Sequence, residues 1–339
     1  MNKNKYCLIF GIAGICFLLS PFLLSDYMLY LINLAAIATI GAIGLNILTG
    51  YTGLIAMANG AFIGVGAYTA AVLYSKLGVP FLLTIPLAGL MTAAVGVFFG
   101  IPALRLRGFY LAMSTLAAQI LLMFIFNNWA SVTNGETGIF LTPPSIFGFS
   151  IQGDRAFYFL TVGIALLGLL FSYNLFKTDT GRSFIAIRDR DIAANIIGID
   201  IFKYKLLSFA ISSFYAGVAG ALFGFYMSFV SPEAFGLNVS IDYIAMIIVG
   251  GLGNLWGGVL GALFVVILPE FVDKLIEFIG QYVQMQYTFA AFRQLVFGLL
   301  IIIFLVWEPK GLTEIIRRLF AWLKSKIYIS AKSAMRPQE

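Results

Sequence analysis

The residues best suited to chemistry in this sequence are the charged side chains of one internal segment, residues 177–205. This segment holds four acidic and six basic residues. Asp189 and Asp191 are two positions apart, which directs them to different faces of a helix, so they do not predict a carboxylate pair. Histidine is absent, and the H-E-x-x-H, G-x-S-x-G and G-x-x-x-x-G-K-[ST] motifs are missing. The sequence therefore indicates a non-enzyme without an ATP site of its own.

The two cysteines, Cys7 and Cys16, lie in the first apolar run of the sequence. Nine residues apart on a predicted helix, they are too distant for a mutual disulfide. Their spacing also matches no metal-binding motif. We therefore expect neither a metal nor a cofactor.

The middle of the charged segment, Arg182–Ile197, predicts a short amphipathic helix that ends at Gly198 in a left-handed cap. Its alanines form a stripe of small residues that would let another protein surface approach closely, while the flanking charges set the register. The alternative is a helix lying on lipid headgroups, which the four acidic residues oppose because anionic lipid would repel them. The candidate contact residues are Arg182, Arg188, Asp189, Asp191, Ala193, Ala194 and Gly198.

The composition of the chain indicates that these residues belong to a membrane protein. Of 339 residues, 61% are hydrophobic and 11% are charged, whereas a soluble domain has about 25% charged residues. Since each span needs about 20 apolar residues, we expect an all-α, polytopic bundle of about 8–10 transmembrane helices in one domain, residues 1–339. The net charge of +6 is distributed between apolar runs, so nucleic acid is not an expected partner.

The apolar runs predict where the helices lie, the first being an uncleaved span rather than a signal peptide. The predicted spans are 7–24, 28–49, 54–74, 81–101, 109–127, 157–176, 206–229 and 293–307. A further run, 241–268, is interrupted by glycines and is expected to form a re-entrant pair or two short spans. Residues 271–292 are too polar for a span and predict an external interfacial helix.

The basic residues orient these spans. With the N-terminus inside, seventeen basic residues fall on the cytoplasmic side and four outside, which is typical of the positive-inside rule. Both termini, segment 177–205 and the basic tail 310–339 are then cytoplasmic, in the inner membrane of a bacterium. Segment 128–155 becomes the longest external loop, and it is either a surface for an external partner or a solvated connector.

The interrupted run 241–268 is the candidate substrate pathway, because irregular backbone at membrane depth must be buried in protein or line a wet cavity. Close packing of helices through small residues is the alternative. Free helix ends would offer N–H groups to a carboxylate and C=O groups to an ammonium group. The candidate pathway residues are Gly250, Gly251, Gly253 and Asn254, with Asn59 and Gly60 near them. The amide side chains at depth, each an interhelical hydrogen-bond partner or a ligand, are Asn33, Asn46, Asn59 and Gln119.

Several motifs stand in a fixed order between about residues 30 and 315. They are G-L-I-A-M-A-N-G-A-F-I-G-V-G-A-Y-T-A (53–70), L-R-L-R-G-F-Y-L-A-M-S-T-L-A (104–117), T-G-R-S-F-I-A-I-R-D (180–189), S-P-E-A-F (231–235), S-I-D-Y-I-A-M-I-I-V-G-G-L-G-N-L-W-G (240–257) and E-P-K-G-L (308–312). Together they resemble the permeases of the branched-chain amino-acid ABC importer family. Ala193-Ala194 followed by Gly198 is similar to the E-A-A-x-x-x-G loop by which such permeases dock on ATPases, with Ile192 at the Glu position.

The resemblance implies a homologous second permease subunit, two cytoplasmic ATPase subunits and an extracytoplasmic substrate-binding protein. ATPase closure would then move the helix 182–198 as a rigid lever, and the joined helices would expose the pathway to the inside. The implied substrates are branched-chain amino acids. Asn59-Gly60 stands where the family more often has a His-Ala-type pair, so urea or a short amide, carried by the same permease type, stays open. A stand-alone channel or facilitator is the alternative from a different class, since the spans are nearly free of charge.

Overall fold

The computed structural model describes residues 24–106, 108–146, 149–151 and 153–280, together with residue 21 and scattered residues from 295 to 318. Within this part of the chain, seven helical segments are long and apolar enough to cross a membrane. The predicted all-α, polytopic bundle is therefore confirmed. The predicted spans 7–24 and 293–307 and the tail 310–339 lie largely outside the described residues.

Eleven α-helices follow one another in the described part of the chain. They are α1 (Asp26–Leu45), α2 (Asn59–Ser75), α3 (Phe81–Ala103), α4 (Phe109–Asn128), α5 (Ala130–Thr133), α6 (Asp154–Leu175), α7 (Asp179–Asp189), α8 (Asp191–Ile196), α9 (Ile201–Met227), α10 (Leu237–Gly250) and α11 (Leu255–Gly280). A π-helical turn, Asn46–Tyr51, continues α1, and 3₁₀ turns lie at Gly135–Thr137 and Pro232–Phe235. Two antiparallel ribbons pair β1 (Ile139–Phe140) with β4 (Phe229–Val230) and β2 (Ser145–Ile146) with β3 (Phe149–Ser150).

Helix α9 is the centre of the bundle and packs against α1, α2 and α3. Its fully buried side chains include Phe209, Leu222 and Phe225. A Cβ atom added at Gly220 of α9 would overlap the carbonyl oxygen of Ile63 in α2. Small residues at such crossings let two helix backbones approach closely, which is how apolar helices gain packing energy in a membrane.

The predicted span 54–74 is helical only from Asn59 onward. Gly53, with φ +77°, ends the π-helical turn, and residues 54–58 then follow a non-helical path into the bundle. The Met57 N–H, which has no helical acceptor there, donates to the Thr115 hydroxyl of α4 at 2.9 Å. A side chain of another helix therefore satisfies the irregular backbone, as a membrane interior requires.

The glycine-rich interruption of the run 241–268 separates two full helices, α10 and α11. Gly251 and Gly253 have φ of +115° and +74°, so the chain turns within four residues. Pro232–Gly250 and Leu255–Lys274 each qualify as a span by length and composition. The predicted break is therefore confirmed, while the choice between a re-entrant pair and two short spans stays a prediction.

The predicted interfacial helix 271–292 does not begin as a separate helix at residue 271, and its interfacial position stays a prediction. Helix α11 continues through Pro269 to Gly280, because its apolar face extends to Leu268 and Val272, which are 9% and 1% exposed. Residues 281–292 lie outside the described residues.

Described residues of the segment 128–153, at and after the end of α4, contact other parts of the fold. Strand β1 pairs with β4, which leads from α9 toward α10. At the same end of the bundle, Lys76 Nζ donates to the carbonyls of Ser131 and Val132 at 2.8 and 3.1 Å. We refer to this end as the 128–153 end.

The charged segment forms two helices, α7 and α8, instead of the single predicted helix Arg182–Ile197. Arg190 separates them in an extended conformation, with φ −157° and ψ 99°. Phe184 and Ile187, 0% and 3% exposed, anchor α7 in the bundle. Asp191 then begins α8, where a carboxylate is favourable because of the helix dipole. The end of the bundle that carries these helices is called the 177–205 end.

Candidate functional site

Helices α2 and α10 both begin inside the bundle, and their first turns meet there. Helix α2 has 17 residues and ends at the 128–153 end, so its start lies about 25 Å from that end. Helix α10 has 14 residues, so its start lies about 21 Å from its last residue, Gly250, at the 177–205 end. The two distances are similar, which places the meeting point near the middle of the bundle.

Side chains from two other helices cap the start of α2. The Gly60 N–H donates to Ser240 Oγ of α10 at 2.8 Å, and the Ala61 N–H donates to Gln119 Oε1 of α4 at 2.8 Å. The Ser240 hydroxyl also donates to Gln119 Oε1 at 3.1 Å, and Gln119 Nε2 donates to the Phe235 carbonyl at 2.8 Å. Because α2 has no capping side chain of its own, these buried groups supply the acceptors that its first N–H groups need. We call these five residues the mid-depth junction.

Asn59 lies beside the mid-depth junction and is 2% exposed. Its Nδ2 has no hydrogen-bond partner within the described residues. A buried donor without a partner costs about 1–3 kcal/mol, so a water or a ligand that accepted this hydrogen bond would be stabilised. An apolar cavity of about 190 Å³, lined in part by Ile63, Phe235 and Val239, adjoins the junction.

The glycine-rich turn between α10 and α11 lies at the other end of α10, at the 177–205 end. The prediction that Asn59 and Gly60 lie near it is wrong, because most of the length of α10 separates them. The prediction failed because Ser240, which contacts Gly60, and Gly250 occupy opposite ends of one straight helix.

Asn46 and Arg188 hold this turn in place. Asn46, in the π-helical turn, accepts a hydrogen bond from the Gly253 N–H at 3.0 Å and donates from Nδ2 to the Asn254 carbonyl at 2.7 Å. Arg188 Nη1, from α7, donates to the Gly50 carbonyl at 2.9 Å. A Cβ atom added at Gly253 would lie 2.7 Å from Arg188 Nη1 and 3.0 Å from Gly50 O. We call Asn46, Gly50, Arg188, Gly253 and Asn254 the loop-end junction.

The charged residues of α7 divide between solvent and bundle. Arg182 is 70% exposed and pairs with Asp179 at 2.6 Å. Asp189 is 62% exposed and pairs with Arg188. Arg188 itself is 38% exposed, because its guanidinium group turns inward to Gly50. Of the predicted contact residues on α7, Arg182 and Asp189 are thus largely exposed, whereas Arg188 is less exposed and also bonds to the bundle.

The alanine stripe also divides. Ala193 is exposed, whereas Ala194 is 2% exposed and packs against the helix bundle itself. The outward face of this region consists of Ile192, Ile196 and Ile197, which are 71%, 81% and 74% exposed. These isoleucines are not among the predicted contact residues, although the amphipathic pattern of the segment could have indicated them.

Gly198 ends α8 as predicted, with φ +91°. The Gly198 N–H donates to the Asn195 carbonyl and the Ile199 N–H to the Ala194 carbonyl, both at 3.0 Å. This pair of bonds is the Schellman motif, which favours glycine at the left-handed position.

The buried amides mostly bond between helices. Asn46 and Gln119 do so at the two junctions. Asn33 Nδ2 donates to the Asp154 carbonyl at 2.9 Å, and the Thr161 hydroxyl donates to Asn33 Oδ1 at 2.7 Å. For these three residues the predicted hydrogen-bonding role is confirmed.

A multi-span bundle with two helix starts meeting at its centre, and a charged pair of helices at one end, is the architecture of a membrane permease. The chain belongs to the family of permease components of branched-chain amino acid transport systems, whose defining pattern matches residues 27–305.

Named relatives agree with this family. The high-affinity branched-chain amino acid transport system permease protein LivM of Escherichia coli (strain K12) is 32% identical over 322 residues, which cover 88% of this chain and 72% of that protein. From Methanocaldococcus jannaschii, the probable branched-chain amino acid transport permease LivM is 28% identical, covering 68% of this chain and 67% of the relative. The probable permease LivH of that organism is 28% identical, covering 65% and 72%. No solved structure matches the chain.

Proposed function

We propose that this chain is a permease subunit of an ABC importer in the inner membrane, which moves branched-chain amino acids inward. Separate ATPase subunits would hydrolyse the ATP, and the chain would contribute no ATP site. The names of its relatives support the substrate class. With the 177–205 end in the cytoplasm, as the positive-inside distribution favours, the 128–153 end would face the substrate-binding protein.

The observation that carries the proposal is the exposed isoleucine face of Ile192, Ile196 and Ile197. Three large apolar side chains, each more than two thirds exposed, stand on a segment that also carries charged residues. An exposed apolar cluster with a polar rim is typical of a protein–protein contact. An ATPase cleft would cover these side chains, with Ala193 allowing close approach and with Arg182, Asp189, Asp191 and Gly198 around them.

The second permease subunit is supported by the two relatives from one organism. The chain resembles both the LivM-type and the LivH-type permease of Methanocaldococcus jannaschii. Two homologous permeases in one organism fit a heterodimer, to which two ATPases would bind.

The substrate pathway would pass the mid-depth junction. Helix starts attract a carboxylate because their N–H groups and dipoles point toward it. At Gly60 and Ala61 those N–H groups already donate to Ser240 and Gln119, so the junction is in a closed arrangement. Opening would exchange these side-chain acceptors for the substrate carboxylate, with the unpaired Asn59 amide as a further donor.

Co-purification and transport test the proposal. The complex is purified through a tag on this chain, the bound subunits are identified by mass spectrometry, and the uptake of leucine and of urea is measured in proteoliposomes with binding protein and ATP. ATPase subunits together with ATP-dependent leucine uptake are expected. Uptake of urea alone would change the substrate class. Uptake by the chain alone, without ATP, would identify a facilitator.

Ala193→Glu tests the docking face. The exposed position tolerates the larger side chain in the free permease, so expression and the thermal midpoint should stay at the wild-type level. ATPase co-purification and ATP-dependent uptake should fall at least tenfold, because a carboxylate enters the apolar contact. Arg317→Glu, which places a carboxylate at a 78% exposed position outside this face, is the control. Wild-type uptake by Ala193→Glu would exclude this face as the docking site.

A further inference from the structure

Arg188 stands in the predicted docking segment, yet its guanidinium group bonds to the bundle at Gly50, and its side chain is only 38% exposed. Its guanidinium group makes contacts in two directions. Nη1 donates to the Gly50 carbonyl at 2.9 Å, and Nε donates to Asp189 Oδ1 at 3.2 Å. A guanidinium fork can hold two acceptors in a fixed geometry, whereas a lysine ammonium is a single point. Arg188 therefore joins the exposed part of α7 to the end of the first described span.

The Gly50 carbonyl lies against the turn between α10 and α11. A Cβ atom added at Gly50 would overlap both Asn46 Oδ1 and the Gly253 nitrogen. Asn46 bonds to Gly253 and to Asn254 in the same turn. Arg188, Gly50, Asn46 and the turn are thus consecutive contacts, with no intervening space for a side chain.

Aromatic stacking supports the same link. The ring of Tyr51, the last residue of the π-helical turn, stacks on Phe176, with centroids 3.6 Å apart. Phe176 caps the end of α6 and leads into the charged segment. A π-helical turn is a rare irregularity that often lies at functional sites, and here it contacts Phe176, just before the segment 177–205, and Arg188 within that segment.

Helix α10 connects the loop-end junction to the mid-depth junction. Its last residue precedes the turn that Asn46 holds, and its Ser240 accepts the Gly60 N–H at 2.8 Å. An α-helix transmits a displacement along its axis because its backbone hydrogen bonds keep it rigid. A movement of α7 at Arg188 would therefore reach Gly60 through α10.

We propose that Arg188 is a positioning residue that transmits movement of the charged segment to α10, and through α10 to the mid-depth junction, rather than a contact to the ATPase. This inference rests on the proposed transport function, since it assigns the path by which ATP hydrolysis opens the pathway. It makes the inward-facing side of the segment as important as its exposed side.

The first test compares Arg188→Ala, Arg188→Lys and wild type in the reconstituted complex. Arg188→Ala should lower ATP-dependent leucine uptake at least tenfold while ATPase co-purification and ATP hydrolysis stay within twofold of wild type, so that more ATP is spent per substrate. Arg188→Lys should recover only part of the uptake. Arg317→Ala is the matched control, since Arg317 is 78% exposed and forms a surface pair with Glu314 at 3.0 Å. Loss of ATPase co-purification, or unchanged uptake, would overturn the inference.

A double mutant tests the inference even if Arg188→Ala also lowers the stability of the protein. Asn46→Ala removes the next contact in the path, so the two changes together should lower uptake little more than either alone. Multiplicative losses would show that Arg188 and Asn46 act independently and would contradict the proposal.

A conformational readout separates this inference from the substrate assignment. Leu252, 51% exposed in the turn, is replaced by cysteine in a variant with Cys7 and Cys16 changed to serine, and its maleimide labelling rate is measured in the assembled complex. In complexes that keep Arg188, the labelling rate should differ at least threefold between the nucleotide-free and ATP-bound states. In complexes with Arg188→Ala, the same two rates should differ less than 1.5-fold. If this nucleotide-dependent labelling is observed but leucine is not taken up, the substrate assignment is refuted and the positioning role of Arg188 is not. A nucleotide response that is absent in wild type or unchanged by Arg188→Ala would refute the link.

Discussion

At the two ends of α10, different kinds of side chain form the hydrogen bonds that irregular backbone groups need. At the mid-depth junction, neutral side chains bind helix N–H groups, and Gln119 and Ser240 are 2% and 0% exposed. At the loop-end junction, an arginine that is 38% exposed binds a backbone carbonyl beside a glycine-rich turn. The middle of a membrane protein has no water to satisfy a polar group, so every partner must come from the protein. At the end of the bundle, water is available and a charge costs little.

The difference predicts how each junction responds to change. Loss of a partner in the middle should destabilise the fold, because the stranded group stays buried. Loss of a partner at the 177–205 end should affect transport more than stability.

Gln119→Leu should have the largest effect on stability. It strands the Ala61 N–H and the Phe235 carbonyl, and each buried unpaired group costs about 1–3 kcal/mol. The thermal midpoint of the purified protein in detergent should fall clearly, together with uptake. Asn128→Leu on the same helix is the control, since its exposed amide donates to the Phe124 carbonyl one turn away. Equal midpoints for both variants would mean that Gln119 does not hold the mid-depth junction.

Gly60→Ala and Gly253→Ala compare the two junctions directly. A methyl group at Gly60 would lie 2.9 Å from the Gly236 carbonyl oxygen, and backbone cannot move aside without separating α2 from α10. At Gly253 the cost is about 1–2 kcal/mol for a left-handed backbone. The added methyl group would lie 2.7 Å from Arg188 Nη1, on a side chain that can shift, and 3.0 Å from one backbone oxygen, that of Gly50, whereas Gly60 meets two backbone oxygens.

We expect the midpoint to fall more for Gly60→Ala, and uptake per ATP hydrolysed to fall at least fivefold for Gly253→Ala at a nearly normal midpoint. Gly163→Ala, where no atom lies within 4 Å of the added methyl group, is the control and should be neutral or stabilise by about 0.5–1 kcal/mol. The reverse order of midpoints would contradict the comparison.

Asn254→Ala should have the smallest effect. Asn254 Oδ1 accepts from the Trp256 N–H at 3.1 Å, an N-cap contact at the start of α11 whose loss costs about 1 kcal/mol. Asn254→Ser should restore the midpoint, because serine is also a good N-cap. Helix α2 has no such local cap, so no single residue next to Asn59 could replace Gln119. A midpoint that serine fails to restore would show that Asn254 acts in another way.

Much of the fold could be predicted from the sequence because the signals are local. Apolar runs long enough to cross a membrane as a helix predict the spans. Gly250, Gly251 and Gly253 interrupt one such run at the place where the chain turns. Gly198 predicts the end of α8, since a Schellman cap depends on residues within one helical turn. The docking role of Ala193 stays a prediction.

The errors concern contacts that no local pattern encodes. The continuous helix 182–197 was wrong because the burial of Phe184 and Ile187 fixes α7 separately from α8. The placement of Asn59 and Gly60 beside Gly250 was wrong because Gly60 contacts the first turn of α10, whereas Gly250 is its last residue. Where α10 begins depends on the irregular residues before it.

The sequence by itself determined that this chain is a polytopic helical membrane protein with one charged segment, and its motifs determined the family. Those properties follow from hydropathy, charge and residue order, which act along the chain. Only the tertiary structure decided that Gly60, Gln119 and Ser240, up to 180 residues apart, meet at mid-depth, and that Arg188 turns inward to Gly50. Buried polar groups without water must find partners wherever the packed helices bring them, so these contacts arise only when the whole bundle is assembled.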